Sequence, residues 1–223
     1  MDVQTLYPRL LAAVMILLIA FPVHEFAHAL AAFRLGDGTA KLFGRLTLNP
    51  IAHFDPVGGA LLLISSLVGV GIGWAKPTPV NPANLQGGRY ADAIVAFAGP
   101  ASNLVLAAAA AIPLRFMEAS TADVPVLVLN ALAMFVFINI SLMLFNLLPI
   151  PPLDGSAVLF AFLSPRLAWQ WRPILQQYGI FILLLVAFVP LGPRGQTIFG
   201  LVFQGIGYPL FNLLVGRDFF FWA

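Results

Sequence analysis

At 223 residues, with 61 % of them hydrophobic, only 9 % charged and a mean hydropathy of +0.95, the chain lacks the polar surface of a water-soluble domain. Soluble domains carry roughly 25 % charged residues, so the composition points to a polytopic helical membrane protein. The net charge of +2 is too small to suggest nucleic acid as a partner, and the absence of cysteine excludes disulfides and thiolate ligands.

Crossing the hydrocarbon core takes about 20 mostly apolar residues. The first such run covers 9–33. Asp2 and Arg9 make a poor basic leader and no small-residue cleavage site follows, so this helix is expected to be retained. Next come two short polar stretches, "KLFGRLTLNP" (41–50) and "KPTPVNP" (76–82), on either side of the apolar run 55–73. Residues before proline are pushed towards extended conformation, and Leu46, Thr47 and Leu48 suit a strand. A small membrane-associated β-hairpin or sheet with an unpaired edge is therefore expected.

The run 55–73 is short and broken by glycines and serines. If it spanned, Arg34, Lys41 and Arg45 would lie on the face opposite Lys76 and Arg89, against the positive-inside bias. A re-entrant element is the better reading. It puts the N-terminus outside and carries His24, Glu25 and His28 towards the cytoplasmic leaflet. Further spans are expected at 91–115, 125–149, 174–192 and 197–215. The result is an all-α polytopic membrane protein of about five to six transmembrane helices, a re-entrant element and a small β-hairpin or sheet. It forms a single domain over 1–223, with a core at about 9–160 and C-terminal helices at about 174–215.

The first span ends in "FPVHEFAHALAAF" (21–33). Pro22 removes a backbone hydrogen bond and predicts a kink there. "HEFAH" is His-Glu-x-x-His: on a helix, His24 and His28 share one face and can present two imidazoles to one metal. Glu25 lies beside His24, placed to reach a water activated by the metal rather than the metal itself. An ionisable side chain at the centre of a membrane helix costs about 2.5–3.5 kcal/mol, and a dication compensates several at once. Groups solvated at the interface are the bland alternative.

A catalytic zinc usually takes three protein ligands, so one more must come from elsewhere. Asp154 in "NLLPIPPLDGS" is the stronger candidate, because a carboxylate after an apolar helix and a rigid proline run needs a cation or several donors. Asp55 in "HFDPVGG" is the weaker, since Asp-Pro is common at turns and helix starts. Asp37 in "LGDG" reads as a solvated loop residue. Asp92, Glu118 and Asp123 sit at helix ends or in loops, and Asp218 in the tail.

"HEFAH", "AFAGPASN" (96–103) and "NLLPIPPLDG" (146–155) together resemble the site-2 protease family of intramembrane zinc metalloproteases, in a short form without a PDZ domain. Asn146, Pro149, Leu153, Asp154 and Gly155 match that family's Asn-x-x-Pro-x-x-x-Leu-Asp-Gly signature. The resemblance implies one Zn2+ per chain held by His24, His28 and Asp154, with Glu25 as the catalytic carboxylate. It also implies substrate handling by membrane-associated β structure, for which Leu46, Thr47, Leu48, Pro79, Val80 and Asn81 are the counterparts here. Asn146 is expected either to cap its helix or to serve the active site by donating to the oxyanion or to Asp154. Asn103 is expected to hydrogen-bond between helices, and His53 to be interfacial.

The expected activity is hydrolysis of a peptide bond within or near a transmembrane segment, as in regulated intramembrane proteolysis. The expected partners are a single-span membrane protein substrate and the lipid bilayer, with a second copy or an adaptor protein left open. The expected location is the cell membrane of a prokaryote, with the active site towards the cytoplasmic side. The rival readings are a membrane transporter or metal-handling protein, and a proteolytically silent zinc-binding scaffold. Glutamate directly after His24 favours hydrolysis, because a translocation path has no special use for it.

Overall fold

The computed structural model describes residues 3–67, 71–120, 123–191 and 195–216; Asp218 and residues 68–70 of the apolar run lie outside them. The first span starts as α1 (Val3–Met15), passes through a π turn at Ile16–Ala20 and continues as α2 (Phe21–Arg34). Pro22 has no N–H for the preceding turn, and its ring crowds that turn. Widening the turn to π geometry relieves both problems, so the kink expected at Pro22 takes this form. The last span repeats the device: a π turn at Phe203–Gly207 lies directly before Tyr208 and Pro209.

α2 ends where the Gly36 amide donates to Phe33 O (3.2 Å) and the Asp37 amide to Ala32 O (2.9 Å), with Gly36 at φ 102°. This pair of bonds closes the last turn of the helix. Two short helices follow, α3 (Thr39–Leu42) and α4 (Pro50–His53). Then comes α5 (Pro56–Leu67), whose 12 residues reach only about 18 Å against a hydrocarbon core of about 30 Å. The chain then runs back along it. Ser65 Oγ bonds both the amide and the carbonyl of Ile72 (2.7 and 2.9 Å), Gly73 abuts Leu62, and the Trp74 carbonyl lies against Gly58. The Lys76 amide finally donates to His53 O (2.8 Å), back at the start of the hairpin. A Cβ at Gly58 would overlap the Trp74 carbonyl, so glycine there permits the return. This path brings residue 76 back beside residue 53, where the segment began.

The central element is α6 (Gly88–Ala119), which packs against α2, against α7 (Val126–Asn146) and against α8 (Asp154–Phe162). α9 (Pro165–Phe188), α10 (Ile198–Val202) and α11 (Tyr208–Val215) complete the chain. Among the described residues, five helices are long and apolar enough to cross a membrane: Arg9–Arg34, Gly88–Ala119, Val126–Asn146, Pro165–Phe188 and Ile198–Val215. The main core joins α6, α7 and the last span through Leu114, Val136, Ile140, Phe211 and Val215. α9 instead exposes Trp169, Ile180, Phe181 and Leu185. Such an apolar outer face suits lipid, and the chain is an integral multi-pass membrane protein.

The expected β-hairpin is not found among the described residues, and no residue of 41–50 or 76–82 is in a strand. Among the described residues the sole β pairing is an isolated bridge between Leu191 and Gln196. Local bonds win over 41–50. The Arg45 amide donates to Ala40 O (2.8 Å), Thr47 Oγ1 accepts from the Asn49 amide (3.1 Å), and Asn49 Oδ1 caps α4 by accepting from the Ile51 amide (3.1 Å). Over 76–82, prolines at 77, 79 and 82 remove the amides a ladder needs. That stretch is extended without being a strand.

Asp37, expected to be solvated, is fully buried. Its Oδ1 accepts from the Thr39 amide (3.1 Å), the Thr39 hydroxyl (2.5 Å) and Asn84 Nδ2 (3.0 Å), and its Oδ2 from the Asn81 amide (2.7 Å). It pins the 76–84 loop to the end of α2. Burial alone would raise its carboxyl, but the bonds from Thr39, Asn84 and Asn81 outweigh burial and hold it at about 2, below the ordinary 3.8. The folded state therefore favours the ionised form. The stabilisation is complete above about pH 4 and is lost as pH falls through about 2. Asp37→Ala is expected to destabilise the protein by about 2–4 kcal/mol, because it leaves buried donors unpaired. Denaturation in detergent micelles measures this, and between about pH 4 and pH 2 the wild type should lose stability more steeply than Asp37→Asn.

Candidate metal centre

His24 and His28 lie one turn apart on the buried side of α2 and are held from behind by α6 and α7. His24 Nδ1 donates to Asn103 Oδ1 (2.6 Å), Asn103 Nδ2 donates to Asn139 Oδ1 (3.2 Å), and Asn139 Nδ2 donates to Phe135 O (2.9 Å). Both asparagines are fully buried. His28 Nδ1 donates to Val95 O (2.7 Å). With each Nδ1 carrying the proton, each Nε2 is left as a bare lone pair. These two lone pairs are 3.0 Å apart, and Asp154 Oδ2 lies 3.1 Å from that of His24 and 3.4 Å from that of His28.

Three electron-pair donors thus face one another with no proton between them. Asp154 Oδ2 is buried with no hydrogen-bond donor among the described residues. A buried acceptor so placed is costly unless a cation joins it. Two imidazole nitrogens and a carboxylate oxygen are ordinary zinc ligands, and bonds of about 2.0–2.1 Å in a tetrahedron put ligands about 3.3 Å apart. The observed spacing fits. Among the described residues, this is the one group of three or more His, Cys, Asp or Glu side chains with donor atoms close enough for a shared metal, all within 4.8 Å.

Asp154 reaches this point because the turn after α7 folds back on itself. The Ile150 amide donates to Leu148 O (2.8 Å), the Leu153 amide to Ile150 O (2.9 Å), and Gly155 packs against the carbonyls of Leu147 and Leu148. The weaker candidate, Asp55, is elsewhere: its Oδ1 accepts from the Gly58 amide (2.8 Å) at the start of α5. Glu25 stands outside the ligand group, half-buried, with Oε2 accepting from the Thr78 amide (2.7 Å). Asn146 ends α7 with its Nδ2 donating to Leu142 O (2.9 Å), not to Asp154. Of the expected substrate-binding residues, Thr47 O accepts from His53 Nε2 (2.8 Å), Leu48 is exposed, and Leu46 lies in the same turn. On the other stretch, Val80 packs against Ala32, Leu85, Ala91 and Val95, Asn81 caps a short 3-10 turn, and Pro79 is half-buried. His53, expected at the interface, is buried.

Gly99 was not singled out from the sequence. A Cβ there would overlap His28 Nε2 and sit 2.6 Å from His24 Nε2, on the face where the lone pairs converge. The available signal was "AFAGPASN", a run of small residues that lets helices approach closely. Asn139, the end of the bond chain from His24, was also missed, although a lone asparagine inside "FVFINISLML" marks itself.

Residues 113–186 match the model of peptidase family M50. The chain is 38 % identical over 198 residues to "Putative zinc metalloprotease YwhC" of Bacillus subtilis (strain 168), spanning 86 % of this chain and 88 % of that protein. It is also similar to the proteins named "Putative zinc metalloprotease Rip2" of Mycolicibacterium smegmatis (strain ATCC 700084 / mc(2)155), at 31 % over 84 % of this chain and 72 % of that one. The Rip2 of Mycobacterium tuberculosis (strain ATCC 25618 / H37Rv) matches at 30 %, over 94 % of this chain and 78 % of that one. The chain belongs to peptidase family M50. No solved structure matches it significantly. As an M50 metalloprotease it has zinc as its cofactor, and the His-His-Asp group fits that ion.

Two expectations follow for this M50 centre. Gly99→Ala should leave the helical fold intact by circular dichroism while zinc per chain falls below about a tenth of the wild-type value, because a methyl group would fill the cradle. Asn103→Ala should weaken zinc binding by about 10–100-fold in a chelator competition, since it frees the His24 ring to rotate and change tautomer.

Proposed function

We propose that this chain is an intramembrane zinc endopeptidase that cuts a single-span membrane protein within or near its transmembrane segment. The observation that supports this best is a His24–His28–Asp154 group with Glu25 beside it, at the end of an apolar span. His24, His28 and Asp154 would hold the metal, and when bound it supplies Lewis-acid activation of a water molecule and of the scissile carbonyl. Glu25 takes the proton from that water on a carboxylate oxygen and then passes it to the leaving amine. The bonds from Asn103 and Val95 keep both imidazoles oriented throughout. Asn146 Nδ2 commits one of its two N–H groups to Leu142 O, and the second is the one that would act on the oxyanion.

A substrate helix must unwind before its carbonyls become accessible, and the freed backbone groups need partners inside the membrane. The extended stretch at Pro79, Val80 and Asn81 is suited to provide them by pairing with an unwound strand. Leu46, Thr47 and Leu48, which lie in turns, are less suited. Arg34, Lys41, Lys76 and Arg89, read by the positive-inside bias, support a cytoplasmic orientation for this end of the bundle in a cell membrane.

The decisive comparison is wild type against Glu25→Gln, purified in micelles, with zinc content and cleavage of a transmembrane substrate measured together. Zinc should be equal in the two, and turnover should drop by about 10²–10⁴-fold in the variant. Equal turnover would remove Glu25 from the chemistry. Equal zinc with no cleavage by either would favour a silent scaffold.

A further inference from the structure

Arg45 is 5 % exposed, a rare condition for an arginine with no carboxylate bonded to it. Its Nη2 donates to the carbonyls of Lys76 and of Pro77, the latter at 3.1 Å, while Nε and Nη1 are buried without partners among the described residues. Burial pushes the guanidinium below its ordinary value, and Glu25 lies close enough to pull in the opposite direction. A link between two loops does not need so costly a group; a neutral donor would serve.

The Pro77 carbonyl and the Thr78 amide belong to one planar peptide unit, whose C=O and N–H point in opposite directions. Arg45 holds the oxygen side. On the nitrogen side, the Thr78 N–H donates to Glu25 Oε2 at 2.7 Å, and the Thr78 hydroxyl donates to Glu25 O at 3.0 Å. Pro77 and Pro79 have no N–H, so Thr78 supplies the one amide donor within Pro77–Pro79.

We infer that Arg45 and the Pro77–Thr78 peptide form a relay that positions Glu25, a guanidinium on the carbonyl side fixing and polarising the amide that holds one carboxylate oxygen. A hydrogen bond at one end of a peptide strengthens the bond at the other, and a charged partner strengthens it most. With Oε2 held, Oε1 is presented in one orientation to receive the proton. Arg45 and Thr78 are positioning residues, since neither is placed at the reacting atoms. The inference rests on Glu25 being the base.

The test compares Thr78→Ala, Thr78→Pro, Arg45→Gln and Arg45→Lys with wild type in zinc content, kcat and KM. Thr78→Ala keeps the amide, whereas Thr78→Pro deletes it. The expected result is a kcat at least about tenfold lower in Thr78→Pro than in Thr78→Ala, and a similar fall in Arg45→Gln. Arg45→Lys should recover part of the loss, with zinc and KM within about twofold throughout. In parallel, the amide proton shift of Thr78 should move upfield in Arg45→Gln, reporting a weakened bond to Glu25 without reference to activity. Equal kcat in Thr78→Ala and Thr78→Pro, a loss confined to KM or zinc, or an unmoved amide shift overturns the relay. Wild type without Glu25-dependent cleavage would overturn the proposed function, while the amide shift still shows whether Arg45 governs the Thr78–Glu25 contact.

Discussion

Two imidazole nitrogens and a carboxylate oxygen, each offering a lone pair, are held together inside an apolar helix bundle. Left alone they repel, and no donor among the described residues relieves Asp154 Oδ2. The rest of the architecture can be understood as what keeps them there. α2 supplies two of the three, one turn apart. α6 must approach so closely that position 99 tolerates no side chain. The buried Asn103–Asn139 pair fixes the His24 ring from the far side at the cost of placing two amides in an apolar core. Those amides are tolerable because they satisfy one another, His24 and the Phe135 carbonyl. A half-satisfied pair in the same place would be worse than leucine.

The same accounting explains the hairpin of α5. A helix of 12 residues cannot carry its chain across the bilayer, and an irregular segment at membrane depth survives only when buried against protein. The return stretch meets that condition through Ser65, Leu62 and Gly58, which take its polar groups or its close approach. Its end is tied to His53 O, and from there the chain passes Arg45, Glu25 and finally Asp37. Buried and half-buried polar groups thus follow one another along the inner side of 76–81, each bonded to a main-chain atom of that stretch.

Much of this was legible in the sequence, for physical reasons. Spans announce themselves by length and hydropathy, and His-x-x-x-His by helical spacing, so the paired histidines of α2 and the five long apolar helices were readable. Asp154 was readable because a carboxylate after an apolar run must find a cation. The β-hairpin was over-read: proline and β-branched patterning predicts extension, but not the partner a strand requires. Asp37 was misread because "LGDG" in a loop normally meets water, and nothing local shows that Thr39, Asn81 and Asn84 converge on it. Gly99 and Arg45 belong to the same class. Their significance lies in contacts between segments distant in sequence, which periodicity does not encode.

The prolines of "KPTPVNP" give this stretch two unlike edges. Described hydrogen bonds of the segment run inward: the Lys76 amide to His53 O, the Thr78 amide to Glu25 and the Asn81 amide to Asp37. With Pro77, Pro79 and Pro82 lacking N–H, most of its donors are already committed. An unwound substrate strand pairing on the outer edge would therefore be met mainly by carbonyl acceptors, which favours the substrate's own N–H groups as the ones recognised. Alternate peptide units point their carbonyls towards this stretch, but the units held by their N–H keep theirs on the opposite side of the backbone, free of it. Hydrolysis needs them free, because a carbonyl already engaged as a β-ladder acceptor cannot also turn towards a metal. On this reading the prolines do more than block a sheet, as they bias which half of each substrate peptide is held and which half is left to react.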